Sequence, residues 1–172
     1  MKQIMDERAI KRCLHRISKD IINRNSKCED LVLIGIKTKG VNIAERLADY
    51  ISSYIGRNIP WCGFDVTYYR DDVDTRNLRP SSLVVSVVNK TVVLIDDVIS
   101  SGRTIRAAID GIMANGRPKE IQLVVLIDKG LRKLPIQPDY VGRNIPTSKG
   151  DRIIIKLAYY DNSEGVYLIK KD

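Results

Sequence analysis

The sequence is poor in the residue types that most often build metal and redox sites. It has one histidine, His15, and three cysteines, Cys13, Cys28 and Cys62, which lie far apart without a Cys-x-x-Cys pair. An odd number of isolated cysteines argues against both a disulfide framework and a zinc knuckle. The single histidine has no partners for a metal, and the sequence offers no Ser/His/Asp or Cys/His set for nucleophilic catalysis.

Long apolar runs are also missing. No segment reaches the roughly 18 apolar residues of a membrane span, and residues 1–10 carry charges where a signal peptide needs an apolar core. We therefore expect a cytoplasmic protein without a membrane partner. The patterns GxxxxGK[ST] and GxGxxG do not occur, which argues against P-loop and dinucleotide sites.

Composition and charge are those of a globular chain with anionic partners. The 172 residues are 44% hydrophobic and 29% charged, and 29 Lys and Arg against 21 Asp and Glu give a net charge of +8. This length is typical of one domain, and we expect a single domain spanning 1–172. The positive charge favours nucleic acid or phosphorylated metabolites as ligands.

The apolar pattern predicts an α/β fold. Continuous apolar runs at 31–36 and 91–95 have the length of buried strands, and helical periodicity follows each of them. Further strands are predicted at 61–69 and 121–127, and helices at 6–25, 41–55 and 102–115. Alternating strands and helices indicate a mainly parallel twisted sheet with helices on both faces.

Two segments depart from this alternation. Residues 70–86 are polar and form a long loop for so small a domain, which indicates a functional mobile loop. Residues 128–172 contain three prolines and two short strand-like runs, 152–157 and 166–169. We expect them to form a small hood at one edge of the sheet.

The segment after the 91–95 strand carries the strongest functional signal. In open α/β sheets, ligands bind beyond the carboxyl ends of the strands, and Asp96 and Asp97 occupy that position. Adjacent carboxylates repel each other unless hydroxyl donors or a cation neutralise them, as sugar hydroxyls or Mg²⁺ would. The next turn opens a helix, so that its amides and hydroxyls can bind a phosphate. This phosphate turn consists of Val98, Ile99, Ser100, Ser101, Gly102, Arg103 and Thr104.

A second anion site is predicted at the end of the first apolar run. Residues 35–40, Gly-Ile-Lys-Thr-Lys-Gly, combine two glycines with two lysines in one turn. Free amides and ammonium groups suit a pyrophosphate, although a helix cap would explain the same turn.

Taken together, these segments resemble the bifunctional pyrimidine operon attenuation protein / uracil phosphoribosyltransferase family of type I phosphoribosyltransferases. The resemblance runs from residue 6 to about 157. It rests on GIKTKG (35–40), YYRDD (68–72), VLIDDV (93–98), SGRTIRA (101–107), GRP (116–118), IQLVVLIDKG (121–130), LPI (134–136) and DYVGRNIPTS (139–148).

The resemblance implies two activities. One is a uracil phosphoribosyltransferase that makes UMP and pyrophosphate from uracil and phosphoribosyl pyrophosphate (PRPP), with Mg²⁺ bound to PRPP. The other is a UMP-responsive regulator that binds pyrimidine operon leader mRNA and promotes transcription termination. We also expect a homo-oligomer, a dimer or larger.

The resemblance also implies roles for single residues. Asp96 and Asp97 would hold the ribose and could contact the Mg²⁺. We expect Mg²⁺ to enter with PRPP, and we expect no side chain to bind it directly when PRPP is absent. Thr38, Lys39 and Gly40 would bind the pyrophosphate, and Arg70 would be brought over it. For the base, Tyr140 would stack on the ring, Val141 would offer backbone groups, and Asp128 would lie at the polar edge. Purine relatives have a lysine around Asp128, so a carboxylate there favours a pyrimidine.

For RNA, the resemblance points to the polar face of helix 6–25 and to a basic segment at 129–156. The candidate contacts are Arg12, His15, Lys19, Arg132 and Arg143. The chain departs from the family's pattern at Ser100, Ser101 and Leu131, and the RNA-contacting set differs at His15, Lys19 and Gln137.

Two other functions stay open. One is a nucleotide-sensing RNA-binding regulator without catalysis, and the other is a phosphoribosyltransferase for hypoxanthine or guanine. The intact acid pair favours catalysis, and the basic surface favours RNA.

Overall fold

The computed structural model describes residues 1–171, and its regular elements alternate as the sequence predicts. In chain order they are β1 (Lys2–Asp6), α1 (Glu7–Arg24), β2 (Leu31–Ile36), α2 (Lys39–Ile55), β3 (Trp61–Phe64), β4 (Thr91–Ile99), α3 (Arg103–Asn115), β5 (Glu120–Asp128), β6 (Tyr140–Asn144), β7 (Arg152–Lys156), α4 (Ala158–Asp161) and β8 (Gly165–Ile169). A 3₁₀ turn covers Thr67–Tyr69.

The main sheet has five parallel strands in the order β3-β2-β4-β5-β6. Helices α1 and α2 pack on one face through Ile17 and Leu47, and α3 packs on the other through Ile105 and Ile112. Every residue of β2 is buried, because a parallel strand covered on both faces is apolar throughout. The predicted parallel sheet with helices on both faces is therefore confirmed.

Helix α1 begins where the sequence predicts. The Asp6 carboxylate accepts a hydrogen bond from the Ala9 amide at 2.8 Å, which caps the helix. Its buried stripe is formed by Ile10, Leu14, Ile17 and Ile21. No helix within residues 1–171 has both the length and the apolar character needed to cross a bilayer.

A second sheet is antiparallel, in the order β1-β8-β7. Its strands β7 and β8 match the predicted runs 152–157 and 166–169. The hood expected from 128–172 also includes β1, which pairs with β8 through Lys2 and Leu168. Strands β1 and β6 and helix α4 were not predicted from the sequence, since each is at most five residues long.

Two predicted strand ends need correction. The strand expected at 61–69 ends at Phe64, because the Asp65 carboxylate binds the amide and the hydroxyl of Thr67 at 3.0 and 2.6 Å and turns the chain. The strand expected at 91–95 extends to Ile99, where it still pairs with Asp128 of β5. The acid pair thus lies within the last part of β4.

Candidate functional site

The acid pair lies at the carboxyl end of the central strand. Asp96 is 8% exposed, and its carboxylate accepts a hydrogen bond from the Asp97 amide at 2.9 Å. Burial raises the pKa of Asp96 well above its usual range, and the charge of Asp97 adds to the shift. Burial also raises the pKa of Asp97, although the hydrogen bond with Asp96 and the charge of Lys39 oppose it. Such a pair is stabilised by hydroxyl donors or by a cation.

The phosphate turn follows the acid pair directly. All its predicted residues, 98–104, line one cavity of about 190 Å³, together with Ile105. Gly102 has a φ of 91°, a left-handed conformation that favours glycine. The Arg103 amide donates to the Ser101 hydroxyl at 3.2 Å. The first turn of α3 therefore opens on this cavity, which suits an anion.

A segment between β5 and β6 packs against the phosphate turn. The Ser101 carbonyl accepts hydrogen bonds from the amides of Lys133 and Leu134 at 2.9 and 3.1 Å. A Cβ at Gly102 would lie 3.5 Å from Ile136. This support was not predicted, because the residues are far apart in sequence and have no shared periodicity.

The pyrophosphate turn, residues 35–40, lies beside the acid pair at the neighbouring strand end. A Cβ at Gly40 would lie 2.5 Å from the Ile95 carbonyl oxygen, and a Cβ at Gly35 would lie 2.4 Å from the Gly40 carbonyl oxygen. The glycines therefore allow α2 to begin in close contact with β2 and β4. This approach brings the charge of Lys39 near Asp97, where it lowers the pKa of that carboxyl.

Arg70 lies at the phosphate turn. Its Nη1 donates to the Thr104 hydroxyl at 3.2 Å, and its Nε and Nη2 bind the Asp72 carboxylate at 2.8 and 2.7 Å. Asp71 pairs with Arg103 at 3.1 Å. The root of the 70–86 loop is thus attached to the start of α3. No hydrogen bond in the described chain joins Arg70 to the pyrophosphate turn, where the resemblance placed it.

Asp128 lies at the end of β5 in a bidentate ion pair with Arg132, at 3.0 and 2.6 Å. Its carboxylate also accepts from the Gly130 amide at 2.9 Å. Burial alone would raise the pKa of Asp128, but the hydrogen bonds from Arg132 and Gly130 and the charge of Arg132 outweigh burial and hold it below its usual value. Asp128 is therefore a buried, ionised acceptor.

A cavity of about 390 Å³ adjoins this ion pair. It is lined by Asp128, Gly130, Leu131, Arg132, Gln137, Asn144 and Pro146. Only Asp128 among them was a candidate for the base. The other lining residues could have been predicted from Asn144, which lies at the carboxyl end of β6, since ligands bind at that edge of a parallel sheet.

The roles expected for Tyr140 and Val141 need correction. Tyr140 is 7% exposed, its hydroxyl donates to Gln122 at 2.6 Å, and its ring packs in the core on the α1 side. The Val141 carbonyl accepts from Arg16 at 2.9 Å. Both residues lie at the amino end of β6, and neither lines the cavity beside Asp128. Tyr140 has no free ring face for a base.

The RNA candidates are divided between separate places. Arg12, His15 and Lys19 share the exposed face of α1, where they line a groove of about 680 Å³ with Arg8, Lys11, Arg16, Asp20 and Asn23. His15 stacks on Tyr50 of α2 with ring centroids 3.9 Å apart. Arg143 donates to the Ile4 carbonyl of β1 at 2.8 Å.

Arg132 is not part of that groove. Besides the pair with Asp128, its Nε donates to the Ile136 carbonyl at 2.8 Å and its Nη1 to the Ser100 carbonyl at 3.0 Å. The donors of Arg132 are engaged between the phosphate turn and the cavity beside Asp128, so that Arg132 lies apart from the other RNA candidates.

Comparisons with known proteins agree with this arrangement. The phosphoribosyl transferase domain family matches residues 1–162. The bifunctional protein PyrR of Thermoanaerobacter sp. (strain X514) is 51% identical over 173 residues, covering 98% of this chain and 97% of that protein. The bifunctional protein pyrR of Enterococcus faecalis (strain ATCC 47077 / OG1RF) is 46% identical over 172 residues, with the same coverage.

Solved structures show the same fold. The hypoxanthine phosphoribosyltransferase of Trypanosoma cruzi superposes with a TM-score of 0.74 at 20% identity, over 100% of this chain and 98% of that one. A hypoxanthine-guanine phosphoribosyltransferase from Bacillus anthracis gives 0.72 at 20% identity, over 96% of each chain. At 20% sequence identity, this structural similarity shows a shared fold alone. The sequence matches go further: the chain belongs to the phosphoribosyl transferase domain family and, within it, to the bifunctional PyrR proteins.

Proposed function

We propose that the protein transfers the phosphoribosyl group of PRPP to uracil, giving UMP and pyrophosphate, and that it regulates pyrimidine operon expression by binding leader mRNA in response to UMP. The observation that carries the enzymatic part is the continuity of β4 and α3. The buried pair Asp96–Asp97 leads directly into the phosphate turn, with Lys39 on the adjacent strand end.

Each part of this arrangement has a role in the transfer. Substitution at the anomeric carbon passes through an oxocarbenium-like state, which needs a fixed ribose and a stabilised leaving group more than a nucleophile. Asp96 and Asp97 hold the ribose hydroxyls, and Ser101 to Thr104 hold the 5′-phosphate. Thr38 and Lys39 stabilise the departing pyrophosphate.

Arg70 would help to stabilise the departing pyrophosphate after a movement of the 70–86 loop. Closure of that loop would also exclude water that would hydrolyse PRPP.

The residues present suit a metal that enters with PRPP. Within residues 1–171, no three His, Cys, Asp or Glu side chains are grouped to hold a metal ion. Asp96 and Asp97 nevertheless supply the oxygen ligands that Mg²⁺ prefers, and their burial makes a neighbouring cation favourable. Bound with PRPP, Mg²⁺ would supply positive charge to the pyrophosphate.

We assign the cavity of about 390 Å³ beside Asp128 to the base and call it the base cavity, and its lining favours a pyrimidine. Asp128 is ionised and can accept a hydrogen bond from a ring N–H such as that of uracil, whereas the lysine that purine relatives have around this position would donate to a carbonyl of the base. Arg132 and the Gly130 amide keep this carboxylate in place.

The regulatory part is supported by the charge on α1. Its exposed face carries Arg8, Lys11, Arg12, Arg16 and Lys19 against Asp20, and clustered basic side chains bind phosphate backbones. The relatives that match over nearly the full chain are named bifunctional.

Incubation with PRPP, Mg²⁺ and one base at a time tests the enzymatic proposal. The bases are uracil, orotate, hypoxanthine and guanine, and the nucleotide formed is identified by chromatography. We expect UMP from uracil alone. Formation of IMP or GMP would favour the purine alternative. Binding of UMP without any nucleotide formation would favour the sensor without catalysis.

A further inference from the structure

The side chain of Lys39 is held by the small sheet. Its Nζ donates to the Ile155 carbonyl of β7 and forms an ion pair with Asp161 at 3.4 Å. The two side chains are 28% and 29% exposed, so that solvent screens the pair only in part. Lys39, whose charge lowers the pKa of Asp97, is therefore held by residues more than a hundred positions later in the chain.

The backbone beside Lys39 is held by the same short helix. The Tyr160 hydroxyl donates to the Thr38 carbonyl at 3.0 Å. Tyr160 and Asp161 both belong to the four-residue helix α4. Two consecutive residues of the pyrophosphate turn thus contact two consecutive residues of α4.

Asp161 is itself fixed in position. Its carboxylate accepts a hydrogen bond from the Leu157 amide at 2.9 Å, at the start of α4. This hydrogen bond, together with the charges of Lys39 and Lys156, lowers the pKa of Asp161 despite partial burial. A carboxylate that is held by its own helix can orient a lysine, because the Leu157 amide fixes its position independently of that lysine.

We propose that Asp161 and Tyr160 are positioning residues for the pyrophosphate turn, and that they set the affinity for PRPP by orienting Lys39 and the Thr38 backbone. This inference rests on the proposed function and assigns to it two residues outside the main sheet. Lys39 has three N–H donors, of which Ile155 and Asp161 take two. The third N–H is left for a ligand, and the charge of Lys39 is close enough to Asp97 to lower the pKa of that carboxyl.

The simplest alternative is that Asp161 only neutralises the charge of Lys39. This alternative predicts a change in affinity for PRPP in the opposite direction when Asp161 is removed. If the carboxylate only neutralised Lys39, its loss would leave an uncompensated cation and would strengthen the binding of a polyanion. If it orients Lys39, its loss leaves a flexible side chain that must be ordered when PRPP binds, and binding weakens. The sign of the change in affinity therefore separates the two.

Kinetics and direct binding on the full chain test the proposal with the variants Asp161→Asn and Tyr160→Phe. The control is Glu164→Gln, in the segment between α4 and β8. Glu164 forms a buried ion pair with Arg46 of α2 at 3.0 Å and makes no hydrogen bond or ion pair with Lys39. The measurements are KM for PRPP, KM for uracil, kcat, the Kd of magnesium pyrophosphate by calorimetry, and thermal unfolding.

We expect Asp161→Asn to raise the PRPP KM and the pyrophosphate Kd by about tenfold, the usual effect of losing one charge-assisted hydrogen bond. Tyr160→Phe should raise both by about threefold, since a neutral hydrogen bond is weaker. The KM for uracil should not change. Glu164→Gln should leave the PRPP KM unchanged even if it lowers the unfolding temperature, because it removes a contact elsewhere on α2.

The proposal is overturned if Asp161→Asn binds pyrophosphate as tightly as the wild type or more tightly, or if Glu164→Gln weakens it equally. Should Asp161→Asn fail to fold, Tyr160→Phe alone decides, and an unchanged pyrophosphate Kd would then reject the assignment. A wild-type protein that makes no UMP refutes the proposed function instead. The calorimetric titration still tests the positioning role in that case.

Discussion

The chemistry of the acid pair follows from where β4 ends. Asp96 is buried and has a raised pKa, and Asp97 is half-buried with Lys39 as its nearby cation. Water would normally solvate two adjacent carboxylates, and here the protein replaces most of that water. The free energy that this costs is recovered only when hydroxyls or a cation bind. The pair is therefore suited to a ligand that carries both a diol and a metal.

We predict that Asp97→Asn and Thr104→Ala each reduce UMP synthesis by about two orders of magnitude, because each removes a preorganised polar contact. Asp97→Asn preserves side-chain volume, and Thr104→Ala removes only a hydroxyl and a methyl group at a half-buried position, so thermal unfolding should change little. Asp110→Asn is the matched control, since Asp110 forms an exposed pair with Arg106 on α3. Near wild-type turnover in a folded Asp97→Asn variant would refute the assignment.

The ion pair between Asp128 and Arg132 predicts a pH-dependent stability. The pKa of Asp128 is lower in the folded chain than in the unfolded chain. The stabilisation is therefore present above the unfolded value and is lost as the pH falls through the folded value. Arg132→Met should lower the free energy of unfolding by about 3 kcal/mol at neutral pH, as expected when a buried carboxylate loses its partner.

The loss should shrink as the pH falls through the folded-state pKa of Asp128, which lies below the usual carboxyl value, because the carboxyl is then protonated with or without Arg132. Urea unfolding of both proteins at neutral and acid pH measures this difference. Arg143→Met is the comparison, since Arg143 donates to a carbonyl and faces no carboxylate in the described chain. A stability loss independent of pH would indicate packing as the cause.

At the scale of elements, the long apolar segments were predictable and the short ones were not. The strand Leu31–Ile36 is found where the sequence placed it, because all six residues are buried. β1 and β6 have few buried residues, and β1 depends on β8 at the other end of the chain. Local periodicity contains no information about pairing between strands that are far apart in sequence.

The residues of the candidate site also divide into those that could be predicted from the sequence and those that could not. The phosphate turn is one continuous segment, so its residues could be found from the sequence. The base cavity combines the end of β5, the connection near Gln137 and the end of β6. Tyr140 was misassigned because a motif does not show which end of a strand faces the ligand.

The 70–86 loop allows a test by proteolysis. It contains no helix or strand, and Arg76 pairs only with Asp74, both largely exposed. Its root lies at the phosphate turn through Arg70 and Thr104. We predict that PRPP with Mg²⁺ slows tryptic cleavage at Arg76, since a ligand at that turn orders the loop.

Cleavage at the exposed Lys149, on a separate loop, provides the internal control and should proceed at the same rate with and without PRPP. Mass spectrometry of the fragments over time gives the measurement. Equal cleavage at Arg76 with and without ligand would show that the loop does not close on PRPP.

Across the whole molecule, the two proposed functions use different surfaces that share a strand. Helix α1 has none of the residues assigned to PRPP, but Arg16 of α1 binds the carbonyls of Val141 and Gly142 in β6 at 2.9 Å. The far end of β6 supplies Asn144 to the base cavity. A nucleotide in that cavity and a ligand on α1 would therefore be connected to opposite ends of one strand, the first through Asn144 and the second through Arg16.

The double substitution Arg12→Gln and Lys19→Gln tests whether the α1 face binds leader RNA. Each phosphate contact to single-stranded RNA adds about −0.7 to the slope of log K against log salt concentration. Loss of two contacts should make the slope about 1.4 less steep. UMP synthesis should stay near wild type.

The control is Arg117→Gln with Lys119→Gln, which removes the same charge from exposed residues before β5. Filter binding at several salt concentrations gives both slopes. If both variants flatten the slope equally, the attraction is a property of net charge and not of α1. If only the α1 variant flattens the slope, RNA binds at α1. Strand β6 is then the segment to test for coupling between the RNA site and the nucleotide site. Any tightening of RNA by UMP must then be matched by an equal tightening of UMP by RNA, because the coupling free energy between two sites is reciprocal.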